Sequence, residues 1–262
     1  MDKKARSDYK RLITDKTSGS GDLLLKLNEF CKKYLPDIEH PLFFIEQAQK
    51  HFSSFQNIQE YLKRLKTTIK SKNGLHKFFD EYRINNETTY ERIFINALPF
   101  LKNKKSILTI SNSRTVYEII NKLSAVNSVK LTICESRPKL EGRILAKKLA
   151  KRRIKIELIT EAMASAYVSK CDCALIGADT ILKDGSVVNK VGSLQLALLC
   201  KHYKKPFYVV AEKSKFSRNQ KFIQKKELQD EIWKNSPKRI TINNFYFEKI
   251  PGMLITKIFY DK

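Results

Sequence analysis

No apolar run in the 262-residue sequence approaches the roughly 20 residues needed to span a bilayer, and the opening MDKKARSDYK lacks the apolar core of a signal peptide. A cytoplasmic protein with no membrane partner is therefore expected. There is no C-x-x-C pair, and the five cysteines are an odd number, which argues against both a disulfide framework and a structural zinc site. Cys171 and Cys173 fall on opposite faces of a strand, and the four histidines at 40, 51, 76 and 202 show no ligand-like spacing, so no metal is expected. The G-x-G-x-x-G dinucleotide fingerprint is missing and no cofactor is expected; no internal repeat or low-complexity segment is apparent. Acidic residues are scarce, 27 against 51 basic ones, for a formal charge of +24. Such a charge raises nucleic acid as a partner. However, 39 of the bases are lysine and only 12 arginine, and the lysines are dispersed along the whole chain. Base readers favour the arginine fork, so specific nucleic-acid binding is not expected.

What is present describes a globular chain: 42% hydrophobic and 30% charged residues. The first hundred residues read as helical. Ser18-Gly19-Ser20-Gly21-Asp22 is a loop and cap signal, followed by Leu23, Leu24, Leu25, Leu27, Phe30 and Cys31 at helical spacing up to Pro36. Pro41 opens a second helix carrying Phe43, Phe44, Ile45, Ala48 and Phe52. Ile58, Tyr61, Leu62, Leu65 and Ile69 form a third stripe, with Lys63, Arg64, Lys66, Lys70 and Lys72 as a solvated face. A further helix is expected from Asn86 or Glu87 to Leu98, ending near Pro99. From Ser106 short apolar runs alternate with helical ones: Ile107–Ile110, Val129–Ile133, Ile154–Ile159, Cys173–Ile176 and Phe207–Val210 are separated by helix patterns. That alternation predicts βαβ units and a mainly parallel sheet. The fold class is α/β, with a helical domain over 1–103, a Rossmann-like domain over 104–262, and a boundary near Lys102–Lys105.

The densest stretch is GADTILKDGSVVNKVGS, Gly177 to Ser193, between a buried-strand pattern and a helix pattern. Strand-to-helix connections of an open parallel sheet share the rim where ligands bind. Lys190, Gly192 and Ser193 at the helix start suit a phosphate, and Asp179 could accept from a sugar hydroxyl or move a proton. The plainer reading is a structural turn with a hairpin corner at Asp184-Gly185. On the same rim lie Ser111, Asn112, Ser113 and Arg114 after the first strand, Glu135 to Arg143 with Arg137 and Pro138 after the second, and Glu212, Lys213, Ser214 and Lys215 after the fifth. Singly these are common loops. Together, mixing carboxylate with cation, they point to a sugar-phosphate-like ligand.

ESRPKLEGR at 135–143, GADTILKDGSVVNKVGS at 177–193, VVAEKSKF at 209–216 and NNFYFEKIPGMLIT at 243–256, in this order, resemble the translation initiation factor 2B alpha/beta/delta family. That family also holds ribose-1,5-bisphosphate isomerase and methylthioribose-1-phosphate isomerase. SGSGDLLLKL at 18–27 resembles its helical N-terminal region. The resemblance implies a helical domain on a Rossmann-like one, self-association through the latter, and a ligand between the two. It implies Asp179 as the isomerases' acid/base aspartate, Asn189 and Lys190 as sugar-phosphate contacts, and Arg137 in the family's ERP-like turn.

The isomerases' cysteine, however, falls on Ser111. A thiol of ordinary pKa about 8.5 can be tuned to carry protons near neutrality, whereas a serine hydroxyl needs a dedicated base. Cys134, one residue before the ESRP turn, reads as packing, and the family's N-terminal arginine-glycine phosphate loop is not visible. The expectation is therefore a regulatory, translation initiation factor 2B-like homodimer or larger homo-oligomer that binds a phosphorylated sugar or a nucleoside monophosphate through Ser111, Ser113, Arg114, Arg137, Asn189, Lys190, Glu212 and Lys215. The alternative is an aldose-ketose isomerase using Asp179, and a third reading is a subunit of a translation-factor exchange complex.

Overall fold

The computed structural model describes residues 2–15, 18–53, 55–70, 74–152, 154–218 and 221–262, with residues 83–87 described by backbone only. Lys72 lies outside the described residues, as do the side chains of Asn86 and Glu87. The chain forms two compact units, Met1–Glu91 and Arg92–Lys262.

The first unit is helical: α1 (Lys3–Thr14), α2 (Ser20–Tyr34), α3 (Pro41–His51), α4 (Gln56–Lys70) and the first part of α5 (Leu75–Leu101). The stripe on α2 buries Leu23, Leu24, Leu27, Phe30 and Cys31 against Ile45 and Ala48 of α3 and Ile58, Leu62 and Leu65 of α4. Asn28 sits in this core with its polar atoms satisfied, accepting from the Tyr61 hydroxyl at 2.8 Å and donating to the Phe79 carbonyl at 3.4 Å. Helix α1 escapes a hydrophobic-pattern reading because only Ala5 and Leu12 are buried on it, although Asp2 caps its start by accepting from the Ala5 N–H at 2.6 Å. Helix α5 begins well before Asn86 and runs through Pro99 to Leu101. A proline this close to the end removes one N–H without stopping the last turn, and Lys102 N still donates to the Leu98 carbonyl at 2.9 Å. The change in patterning near Lys102–Lys105 coincides with the end of this helix.

The second unit is built on six parallel strands in the order β3-β2-β1-β4-β7-β9: β1 Ser106–Ile110, β2 Lys130–Cys134, β3 Lys155–Ile159, β4 Cys173–Ile176, β7 Phe207–Val210 and β9 Lys257–Phe259. Strands β4 and β7 are buried at every residue, as continuous apolar runs covered on both faces must be, while the edge strand β3 is largely open. Helices α6 (Arg114–Val126) and α7 (Glu141–Leu149) pack together after β1 and β2, and α8 (Ala164–Val168) packs with α9 (Ser193–His202). Strand order reverses between β1 and β4, so the crevice of this sheet lies at their carboxyl ends. The GAD-to-VGS stretch does connect β4 to α9, but it contains a hairpin of β5 (Thr180–Ile181) and β6 (Val187–Lys190). Its corner is the Asp184-Gly185 turn, where Ser186 N donates to Asp184 Oδ1 at 2.9 Å. Strand β8 (Phe247–Ile250) completes a separate three-stranded antiparallel sheet. Among the described residues no helix is long and apolar enough to cross a membrane.

Gly142 shows how tightly the rim is built. A Cβ there would lie 1.9 Å from the backbone oxygen of Cys134. Gly142→Ala should therefore force the start of α7 away from β2 and destabilise the protein by about 1–3 kcal/mol, read as a lower urea midpoint at unchanged m; an unchanged midpoint would refute the close approach.

Candidate ligand-binding rim

Connections after β1, β2, β4 and β7 meet at the crevice. Ser113 caps α6, its Oγ accepting from Val116 N at 3.3 Å, and it lies so close to the β4 exit that a Cβ on Gly177 would be 2.3 Å from that Oγ. From the β7 exit, buried Glu212 accepts from the Thr115 hydroxyl at 3.2 Å. Ser111 stands at the tip of β1 with φ of 72°, and its N–H donates to the Ser136 hydroxyl at 2.7 Å. Ser136 and Leu140, in the turn after β2, also have left-handed backbones. Non-glycine residues of this kind carry local strain that the surroundings must over-determine, and such strain concentrates at functional positions.

Asp179 reaches the same place through the hairpin. Its N–H donates to the Val188 carbonyl at 2.9 Å, which sets it beside Asn189 and Lys190 on β6. Asn189 is buried and donates from Nδ2 to Ser193 Oγ at 2.9 Å. Lys190 is only 2% exposed, and its ammonium is 2.8 Å from Glu141 Oε1 on the first turn of α7. The second oxygen of Glu141 finds no hydrogen-bond partner among the described residues. Burial raises the Glu141 carboxyl above its usual value, Lys190 opposes that shift, and the Asp179 carboxylate adds to it. Around the hairpin the rim thus brings the neighbouring carboxylates of Asp179 and Glu141 together with the buried Lys190 ammonium.

The other residues singled out in the sequence are placed differently. Arg114 lies along its own helix, 3.6 Å from Glu118. Arg137 is exposed, next to a cis Arg137–Pro138 peptide, and donates from Nη2 to the Ile232 carbonyl at 3.3 Å. Lys215 is buried in a single 3-10 turn at Lys213–Lys215. The N-terminus of α9, which the sequence offers to a phosphate, is taken by a side chain of the same fold: Glu248 Oε1 accepts from Gly192 N at 2.7 Å and from Leu194 N at 2.8 Å. Burial raises the Glu248 carboxyl while these amides hold it down.

Sequence reasoning passed over Glu141, Glu161 and Glu248. Glu161 accepts from Ser136 N at 2.6 Å and so fixes the turn after β2. An acid in a first helical turn reads as dipole compensation, and only the distant lysine on β6 reveals the other role of Glu141. No thiol takes part in the rim. All five cysteines are free and buried; burial pushes Cys134 and Cys200 up to about 12, and Cys171 to about 11.

Lys190→Met should leave Glu141 buried without its cation and destabilise the protein by about 3–5 kcal/mol at neutral pH. Because the Glu141 carboxyl is already raised above 4.5, the loss should shrink as pH falls through the raised value toward 4.5, where a protonated Glu141 needs no cation. A pH-independent loss would mean that packing, not charge, sets it. A second expectation concerns the thiols: native protein should leave all five unreactive toward a disulfide reagent at pH 8, and unfolded protein should titrate all five.

A family model described as the initiation factor 2 subunit family matches residues 25–262. The chain is 31% identical over 196 residues to translation initiation factor eIF2B subunit alpha of Dictyostelium discoideum, covering 68% of this chain and 60% of that protein. It is 34% identical over 118 residues to ribose 1,5-bisphosphate isomerase of Archaeoglobus fulgidus, covering 45% and 38%. The matched stretches span less than two thirds of the length of these relatives. In fold it is similar to the crystal structure of the translation initiation factor eIF-2B of Pyrococcus horikoshii, with a TM-score of 0.82 at 24% identity over 100% of this chain and 96% of that one. On the match that runs from residue 25 to the last residue, this chain belongs to the initiation factor 2 subunit family.

Proposed function

We propose that the chain binds a phosphorylated sugar or a nucleoside monophosphate at the rim above β1 and β4, and acts as a regulatory, translation initiation factor 2B-like protein. The observation that supports the reading is a polar cluster without a usable thiol: the Asp179 and Glu141 carboxylates lie near the Lys190 ammonium, and Cys134 is buried and raised to about 12, while Ser111 is read as standing at the isomerases' cysteine position. Asp179 and Asn189 offer an acceptor and an amide to ligand hydroxyls, and Ser111 and Ser113 offer small polar groups at the β1 exit. Self-association through the second unit belongs to the same reading, and sedimentation of the pure chain tests it.

A second reading keeps one observation in its favour. Burial raises the Glu141 carboxyl beside the Asp179 carboxylate, and a carboxyl raised in this way can serve as an acid. An aldose-ketose isomerase would then use Asp179 and Glu141 without a thiol.

Ribose 1,5-bisphosphate, ribose 5-phosphate and adenosine monophosphate, each at about 100-fold excess over its dissociation constant, should raise Tm by roughly 5–10 °C for the true ligand class. Asp179→Asn should weaken that binding about tenfold or more with the fold intact. No shift with any of the three would sink the binding reading. Appearance of ketose signals by NMR, lost in Asp179→Asn, would replace the regulatory reading with the isomerase.

A further inference from the structure

The stretch Leu228–Trp233, with a short 3-10 turn at Gln229–Glu231, lies on the turn after β2. Glu231 Oε1 is 2.6 Å from Lys139 Nζ, with the two side chains 11% and 20% exposed. The other Glu231 oxygen accepts from the Tyr246 hydroxyl and, at 3.2 Å, from Asn244 Nδ2, which also donates to the Leu228 carbonyl at 2.7 Å. Arg137 gives its Nη2 to the Ile232 carbonyl. Both cations of the Arg137-Pro138-Lys139 turn are thus engaged by oxygens of one short stretch, in the arrangement that an external anion would occupy. The same stretch leaves Leu228 63%, Ile232 40% and Trp233 50% exposed, so polar contacts rather than apolar burial hold it in place. The contact reaches the rim: the Tyr246 ring lies between this network and Lys190, whose ammonium is 5.1 Å from the ring centroid.

We propose that Arg137 and Lys139 form an anion subsite for the phosphate of a ligand, and that Leu228–Trp233 is a strap whose Glu231 carboxylate and Ile232 carbonyl fill that subsite until phosphate displaces them. The identity of the ligand as a sugar phosphate rests on the reading given above; the exchange of strap for phosphate does not. Strap closure lowers apparent affinity by the fraction of molecules in which the subsite is filled. Ligand binding then becomes release of an apolar-edged segment, which gives a regulatory protein an output other than turnover.

Trp233 is the single tryptophan of the chain, so its fluorescence reports the strap directly. In the full chain at constant ionic strength, inorganic phosphate should red-shift Trp233 emission and raise its acrylamide quenching about twofold. Glu231→Gln should show the released signal before any phosphate is added and bind phosphate about fivefold more tightly. Lys139→Ala should start released and not respond. Circular dichroism of each variant separates release from unfolding, and the wild-type titration needs no variant. Emission that ignores phosphate, or follows sodium chloride equally well, overturns the strap. Ribose 5-phosphate that raises Tm without moving Trp233 overturns the strap and leaves the sugar-phosphate reading standing. Phosphate that moves Trp233 as effectively as ribose 5-phosphate upholds the strap and counts against the sugar.

Discussion

The ion pair between Glu141 and Lys190 is the constraint on which the rim depends. It joins the first turn of α7, which follows β2, to the last residue of β6, which precedes α9. A lysine 2% exposed is held there only because a carboxylate meets it, and the desolvation of both groups makes the pair a device of positioning more than of stability. With Lys190 fixed, the β5–β6 hairpin is fixed, and with it the position of Asp179 beside Val188. The close approach of Ser113 to Gly177 then brings the β1 exit onto the same spot.

A chain with 27 acids against 51 bases places several of its scarce carboxylates where loops must be joined. Glu161 holds the turn after β2, Glu212 ties the β7 exit to α6, Glu248 caps α9, and Glu231 fastens the strap to Lys139. The consequence for recognition is specific. Glu248 satisfies the α9 amides and Glu141 neutralises Lys190, so under the proposed binding a phosphate meets its cations in the Arg137-Pro138-Lys139 turn.

Relatives of this chain bear the names of a translation factor subunit and of a sugar-phosphate isomerase. On this chain the tip of β1 carries a serine, and burial keeps the Cys134 thiol protonated. Close to it the hairpin carries the Asp179 carboxylate and the Asn189 amide, the groups on which the proposed ligand binding rests.

The sequence alone determined the helical first unit and the alternating second one, because a 3.6-residue period records a helix face against a core and a short continuous apolar run records a strand covered on both faces. It also made the rim legible as a set of loops, since parallel strands must end on one side, and the loops that carry Ser111, Ser113, Asp179 and Glu212 follow strand patterns directly. It gave little sign of α1, whose buried face is two residues, or of the short β5, β6, β8 and β9, whose pairing partners are distant in the chain. Only the tertiary structure decided that the α9 start is closed by Glu248, that Lys190 answers to Glu141, and that Arg137 and Lys139 are occupied by residues 228–233. The reason is physical: local pattern encodes burial, but which charge neutralises which is set by contacts across 49 to 95 residues of chain, and those exist only once the sheet has formed.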